Sequence, residues 1–221
     1  MLAGEILSVQ VGLPKVYQSA SDDGEDRTWS SGIFKRAVEG PVHLGETNLD
    51  GDGQADLVHH GGPDRALLLY SAAHYPFWED RFGHSLEFGS FGENLTITDM
   101  DELQVCLGDR FTIGEVEIEV SQPRLPCFKL ARRLDKPGLN LEVMENRRGG
   151  WYTRTLKSGS IQRGDRLQQT AQPNPQWTID RCFATFISEK KDRDVLAELA
   201  ALPQLSELWR TNLQRRLAQL G

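Results

Sequence analysis

The chain has 221 residues, which is enough to bury the core of one ordinary domain with a small appendage. Its formal net charge of −7 argues against general binding of nucleic acid through attraction to phosphate. The three widely spaced cysteines form neither a disulfide framework nor a CxxC pair. Since the N-terminal segment is unlike a signal peptide and no apolar run approaches the roughly 20 residues of a membrane span, we expect a soluble, cytoplasmic protein.

The first two thirds of the chain are predicted to form short strands separated by Gly, Asp and Pro. Residues 6–11, 32–38 and 65–70 are compatible with strands, and residues 72–82 are typical of a helix. The clearest strand is "EVEIEV", where Val and Ile face one way and the glutamates, Glu119 among them, face the other. Many short strands with turn signals predict a closed or nearly closed β-barrel.

The composition changes at residues 169–177, a segment rich in Pro and Gln. Beyond it, three clusters of apolar residues at helical spacing predict three short helices. We therefore predict a mainly β (α+β) fold with peripheral helices. A β-barrel domain spans residues 1–170, and residues 171–221 form a linker and a small three-helix appendage.

The stretch "VSQPRLPCFKLARR" (residues 120–133) holds Cys127 directly after a proline and close to several cations, including Arg124 and Lys129. A short helix is predicted from the cysteine onward. Helix N-termini and nearby cations stabilise a thiolate, which is the form that acts as nucleophile or metal ligand. The alternative is a small buried hydrophobic residue, and that is the expectation for Cys106 and Cys182.

The stretch "HHGGPDRALLLY" (residues 59–70) contains a Gly-Gly turn followed by an arginine. Paired glycines let backbone N–H groups approach an anion closely, and Arg65 could bind a phosphate in bidentate fashion. A plain loop with a solvated arginine is the alternative.

Two further stretches could border the same site. In "FGENL", Asn94 could lie at a pocket rim, and in "SSGIFKRAV", Ser31 and Lys35 could reach an anion. An ordinary turn and a surface lysine are the alternatives. Each stretch is a weak signal alone, and their order along the chain is the informative feature.

In chain order, "SGIFKRAV", "VHHGGPDRA", "FGENL", "SQPRLPCFKL" and "GWYTRTLKSGSIQRGD" resemble the MOSC domain family, the type found at the C-terminus of molybdenum-cofactor sulfurase. The similarity is strongest to the bacterial YiiM-type subgroup, in which this domain precedes a three-helix segment. The resemblance covers nearly the whole chain.

This resemblance implies a MOSC-type β-barrel that binds the molybdenum cofactor, a molybdopterin carrying Mo. Cys127 would be both the metal ligand and the catalytic residue. Positions that match family motifs, or lie beside the cysteine, would bind the cofactor: Lys35, His60, Gly61, Gly62, Arg65, Asn94, Ser121, Arg124 and Lys129.

The implied activity is two-electron reduction of N-hydroxylated compounds, such as amidoximes, hydroxylamines and N-hydroxylated nucleobases including 6-N-hydroxylaminopurine, in a detoxification role. No nicotinamide or flavin motif is present, so we expect a separate flavin- or haem-containing electron-donor protein. We expect no membrane partner. A homodimer and tungsten in place of molybdenum are left open.

Two alternatives belong to other functional classes. Cys127 could carry a persulfide as a sulfur carrier in cofactor maturation, because a thiolate suits that chemistry equally well. The protein could instead be a non-catalytic module that binds a cofactor or a partner. Its last helix carries Arg210, Arg215 and Arg216, which could contact nucleic acid, although a solvated helix face is the preferred interpretation of these arginines.

Overall fold

The computed structural model describes residues 1–20, 26–56, 61–188 and 192–220, and a closed β-barrel dominates it. The strands in these ranges are β1 (Ala3–Val11), β2 (Lys15–Ala20), β3 (Asp26–Ser31), β4 (Arg36–Ala37), β5 (Val42–Leu44), β6 (Leu67–Ser71), β7 (Leu95–Ile97), β8 (Arg110–Ile113), β9 (Val116–Pro123), β10 (Trp151–Lys157), β11 (Gly159–Ile161) and β12 (Arg166–Ala171).

Seven of these strands form the barrel, in the order β1-β12-β8-β9-β10-β6-β7 and back to β1. The barrel closes because β1 pairs with β12, with Ala3 opposite Gln168. Neighbouring strands are antiparallel except for β6 and β7, which are parallel. Strand β4 pairs antiparallel with the C-terminal end of β1. Strands β2 and β3 form a separate pair, and so do β5 and β11. The predicted fold class is confirmed.

Strand β9 shows the expected alternation with one correction. Val116, Ile118 and Val120 are fully buried in the barrel core. Glu119, predicted to face solvent, is only 5% exposed. Its carboxylate oxygens accept hydrogen bonds from Arg110 and Arg154, each at 2.8 Å. The two guanidinium partners compensate the free-energy cost of removing this carboxylate from water. The alternation of apolar and polar residues along a strand does not reveal such charge pairing.

The strand predicted over residues 32–38 is largely wrong, since only Arg36–Ala37 pair as strand β4. The chain turns instead, with Lys35 N–H donating to the carbonyl of Ile33 at 2.9 Å. A Cβ at Gly32 would lie 2.1 Å from the carbonyl oxygen of Gly53. Two loops therefore meet backbone to backbone here, and a glycine is required at the contact.

Six α-helices lie in the described ranges. They are α1 (Tyr75–Phe82), α2 (Phe128–Arg133), α3 (Leu139–Asn146), α4 (Ile179–Ile187), α5 (Arg193–Ala201) and α6 (Glu207–Gln219). Two 3₁₀ turns, Pro63–Arg65 and Ala72–His74, flank β6. None of these helices is both long and apolar enough to cross a membrane.

The last three helices are the predicted three-helix segment. Its core contains Trp177, Leu196 and Trp209, and this cluster also includes Leu107 from the barrel domain. The segment therefore packs directly on the barrel. The domain boundary at residue 170, one residue before β12 ends, stays a prediction.

Two arginines of α6 are not the solvated face that was expected. The Arg210 guanidinium donates to the carbonyls of Ala200 and Leu205, each at 2.9 Å. Arg216 donates to the Phe186 carbonyl and lies 4.0 Å from the centre of the Phe186 ring. Both side chains satisfy carbonyls at or beyond the ends of neighbouring helices, which leaves Arg215 as the exposed member of the three.

Asp109, in the turn before β8, makes stability depend on pH. It is fully buried. Its Oδ2 accepts from Cys106 N at 2.9 Å and Gln169 Nε2 at 2.8 Å, while Oδ1 has no partner among the described residues. Burial raises the pKa of this carboxyl to about 6. The folded protein therefore retains a proton that the unfolded chain loses near pH 4.

We expect the free energy of unfolding of the wild type to fall by roughly 2–3 kcal/mol, through this group, as pH rises from about 4 to 6. Asp109→Asn should lack this decline, as measured by urea denaturation at a series of pH values. Asp165→Asn, in the second "GDR" turn, is the matched control and should retain it. Parallel pH profiles for the wild type and Asp109→Asn would contradict the assignment.

Candidate functional site

An open pocket of about 670 Å³ lies where β9 ends and the chain turns toward α2. Leu68 of β6 and Tyr152 of β10 pair in register on its floor. Their sequence neighbours Leu67 and Trp151 point into the barrel core, so the pocket lies on the outer side of the barrel wall. The pocket brings together seven of the candidate residues: Ser31, Lys35, Arg65, Asn94, Arg124, Cys127 and Lys129.

Cys127 lies at the start of α2 as predicted. It is half-buried, and its side chain makes no capping hydrogen bond, although its carbonyl accepts from Leu130 N at 3.0 Å. The two other cysteines are buried. Burial raises the pKa of Cys106 to about 11 and raises that of Cys182 as well. Cys127 is therefore the cysteine whose thiol faces a pocket.

Two nearly buried guanidinium groups line the pocket. Arg124 is 4% exposed, and its Nη2 donates to the carbonyl of Phe91 at 3.1 Å. Its Nη1 is buried without a hydrogen-bond partner in the described part of the chain. Arg65 is 6% exposed, donates through Nε to Gln122 at 3.3 Å, and has its pKa lowered by burial. Two arginine residues with so little exposure both line the pocket, so the wall fits an anionic ligand.

Lys35 has a partner that the sequence analysis missed. Its ammonium group pairs with the carboxylate of Asp52, and the two side chains are 7% and 0% exposed. Burial lowers the pKa of Lys35, and the charge of Asp52 opposes that shift. Asp52 also accepts from Gly12 N and from Asn94 Nδ2, both at 2.9 Å. The sequence "DGDG" around Asp52 is typical of an ordinary turn and does not indicate a buried ion pair.

Asn94 lines the pocket, but its polar atoms are engaged inside the protein. Its Oδ1 accepts from Leu68 N at 3.0 Å, and its Nδ2 donates to Asp52 and to the carbonyl of Gln10. These bonds connect strands β1 and β6 to the loop that carries Asp52. In this arrangement Asn94 positions the pocket wall, and its predicted contact with a cofactor stays a prediction.

The "FGENL" turn is built around a second buried carboxylate. Glu93 is fully buried and accepts from Gly89 N at 2.7 Å, from Phe91 N at 3.1 Å and from the hydroxyl of Tyr75. These bonds fix the backbone between residues 89 and 93. The Phe91 carbonyl, the acceptor for Arg124, is thereby held in place.

The remaining predicted residues lie behind or beside the pocket. Ser121 is fully buried, and its hydroxyl bonds to the carbonyls of Asp64 at 2.6 Å and Tyr152 at 3.0 Å. Gly61 and Gly62 precede the 3₁₀ turn that carries Arg65 and do not line the pocket, and Gly62 has a φ of +97°. His60 lies outside the described residues.

Several cations near Cys127 in sequence contact groups other than its thiol. Lys129 Nζ donates to the carbonyl of Ser30 at 2.9 Å. Arg132 lies 5.6 Å from the ring centre of Trp29, and Arg133 lies 5.4 Å from that of Phe34. Together these contacts attach α2 to the β2–β3 hairpin and the loop after it. The prediction that these cations surround the thiol, which was based on their nearness in sequence, therefore overstated the positive charge around it.

Tyr152 is a pocket residue that the sequence analysis did not select. It is half-buried, and its hydroxyl makes no hydrogen bond to any described residue. Burial raises its pKa, while the charges of Arg124 and Arg65 act in the opposite direction. The phenol is therefore protonated at neutral pH, and Tyr152 lines the pocket as a potential hydrogen-bond donor. Strand alternation in "GWYTR" could have placed it on the face opposite Trp151.

The Lys35–Asp52 pair yields a stability prediction. Asp52→Ala leaves a buried ammonium group without a counter-charge, and it also removes the acceptor for Gly12 and Asn94. We expect the free energy of unfolding, measured by urea denaturation, to fall by about 3–5 kcal/mol. Asp50→Ala, two residues away and exposed, should change it by less than about 0.5 kcal/mol. Equal losses in both variants would contradict the role of the pair.

Comparisons with known proteins agree with this fold. The MOSC domain matches residues 56–168, and the YiiM-like, 3-alpha helix domain matches residues 177–220. The uncharacterized protein YflK of Bacillus subtilis is 35% identical over 97% of this chain and 95% of its own length. A protein of Gibberella moniliformis named "Reductase" is 35% identical over 79% of this chain, which spans 32% of that longer protein.

Among solved structures, YiiM from Geobacillus stearothermophilus superposes with a TM-score of 0.81 at 31% sequence identity. The match covers 97% of this chain and 99% of that one. The barrel domain and the C-terminal helices thus both match known domains, and one solved structure superposes on nearly the whole chain. The chain belongs to the MOSC domain family, in its YiiM type with a C-terminal three-helix domain.

Proposed function

We propose that the pocket binds the molybdenum cofactor, with Cys127 as the protein ligand of the metal, and that the protein reduces N-hydroxylated compounds. The observation that carries this proposal is the half-buried thiol of Cys127 in a pocket that Arg65 and Arg124 also line. A thiolate is a suitable ligand for a soft metal, and a buried guanidinium is suited to a phosphate or another anionic group.

The residues present fit such a cofactor. Arg65 and Arg124 would bind its anionic groups, and Lys35 lines the same pocket as an ion pair with Asp52. When bound, the cofactor supplies two-electron redox chemistry at its metal. The protein then has to hold the substrate beside Cys127, limit water in the pocket and deliver protons.

Reduction of an N-hydroxylated compound, R–NH–OH, requires two electrons and two protons and yields R–NH₂ and water. The electrons would come from a separate flavin- or haem-containing protein. Tyr152 is the proposed source of a hydrogen bond, and then a proton, to the departing oxygen. Its phenol is protonated at neutral pH and has no internal acceptor among the described residues.

A reductase role in the broad sense is also supported by the Gibberella relative, whose name is "Reductase". This chain corresponds to about a third of that protein. The N-hydroxylated substrate class is part of our proposal.

The first test is the metal content of Cys127→Ser. We expect the wild type, purified from a host that makes molybdopterin, to carry molybdenum and pterin near stoichiometry. Because the variant lacks the thiolate ligand, its molybdenum content or reductase activity should fall by about 10- to 100-fold. Mass spectrometry for the metal and pterin fluorescence after oxidation measure this.

Cys106→Ser is the matched control, because that thiol contacts two backbone carbonyls away from the pocket, at 3.6 Å each. Its metal content should equal that of the wild type. Wild type without pterin would contradict the proposal. A persulfide on Cys127 in metal-free protein would favour the sulfur-carrier alternative.

Tyr152→Phe tests proton delivery while keeping the aromatic ring. We expect kcat for an N-hydroxylated substrate to fall by about 10²-fold, with molybdenum content unchanged. Because burial raises the pKa of this phenol, wild-type kcat should decline through this group only at alkaline pH, and the variant should lack that decline. Tyr17→Phe, in the hairpin beside the pocket, is the control. An unchanged kcat in Tyr152→Phe would exclude this role.

A further inference from the structure

We propose that the C-terminal three-helix segment fixes the position of Arg65 in the pocket, and that Asp64 is the positioning residue that connects them. This gives the segment a role in ligand binding beyond the proposed reductase activity. The affinity of the pocket for an anion is the property affected, and it does not depend on a bound metal.

The carboxylate of Asp64 joins the barrel to the start of α6. Its Oδ1 accepts from Arg154 Nε of β10 at 2.8 Å, and its Oδ2 accepts from Glu207 N at 3.0 Å. Glu207 is the first residue of the 13-residue helix α6. The N–H groups of a first helical turn lack partners within the helix, and they favour a negative charge nearby. Asp64 therefore anchors α6 to the turn Pro63–Arg65.

The backbone around Asp64 is held by the same part of the C-terminal segment. Ser121 donates its hydroxyl to the Asp64 carbonyl at 2.6 Å, and the Ser121 carbonyl accepts from Ser206 N at 2.9 Å. Arg154 adds a bond from Nη2 to the Gln204 carbonyl at 3.0 Å. Residues 204–207 thus hold the turn through three separate contacts, and Ser121 acts from behind the pocket.

Arg65 directly follows Asp64 and ends the three-residue 3₁₀ turn. Its N–H donates to the Gly62 carbonyl at 3.0 Å, and Arg65 lines the pocket, whereas the Asp64 carboxylate bonds to α6 and β10. Because so short a turn has few torsions to absorb a displacement, movement of Asp64 changes the position of the Arg65 backbone. A displacement of α6 would therefore shift Arg65 through the single peptide unit that links it to Asp64.

The test measures binding of inorganic pyrophosphate by calorimetry, at low salt, to the full chain made in a host without molybdopterin. Asp64→Asn keeps the size of the side chain but removes the charge that pairs with Arg154 and α6. We expect its dissociation constant to rise by about 3- to 10-fold. In an Arg65→Ala background, Asp64→Asn should cause no further loss, because the residue through which it acts is gone.

Asp180→Asn is the matched control. Asp180, in α4, accepts from Arg147 Nε at 2.6 Å, so it also ties the helical segment to the body of the protein, but its contact is not with the Arg65 turn. Its variant should lower stability without changing pyrophosphate affinity. That outcome separates positioning of Arg65 from general loosening of the segment.

Three results would overturn the inference. They are an unchanged affinity in Asp64→Asn, a full additional loss in the Arg65→Ala background, or no pyrophosphate binding by the wild type. The same measurements in Cys127→Ser should give the same effect of Asp64→Asn. If the protein does not bind molybdenum, these pyrophosphate affinities should be unaltered. The experiment therefore distinguishes failure of the positioning role of Asp64 from failure of the proposed reductase function.

Discussion

The pocket depends on the constraint that a charge removed from water needs a partner. Lys35 brings an ammonium group to a nearly buried site, and Asp52 is the partner that makes this position stable. Asp52 in turn needs donors for its oxygens, which Gly12 and Asn94 provide. Asn94 bonds to the backbones of two barrel strands. One desolvated lysine thus ties a surface loop to the barrel wall.

The polar and charged side chains around the pocket differ in how many of their atoms are hydrogen-bonded within the protein. Lys129 is bonded to a backbone carbonyl, and Arg132 and Arg133 lie over aromatic rings. Cys127 and Arg124 retain polar atoms without an internal hydrogen bond in the described ranges. Counting cations near a motif in the sequence therefore overstates the positive charge at the thiol, and the residues that line the pocket define the candidate binding surface.

Much of the fold could be predicted because barrel strands, turns and amphipathic helices leave local patterns. The strand-to-helix turn at Cys127 is such a case. Asp52 could not be predicted, since its partners Gly12 and Asn94 lie 40 and 42 positions away along the chain. Asp64 likewise bonds to a residue 143 positions later. Long-range polar contacts follow from the completed topology, which no local pattern encodes.

Closure of the barrel joins the two ends of a long stretch of chain. Leu2 N–H donates to the side chain of Gln169, 167 positions away. During synthesis, one edge of β1 stays unpaired until β12 has been made. The entropy cost of closing so long a loop also makes this pairing slow. An open edge kept for that long favours pairing with other chains. Aggregation of the incomplete chain is therefore a route by which yield can be lost, whatever the stability of the finished barrel.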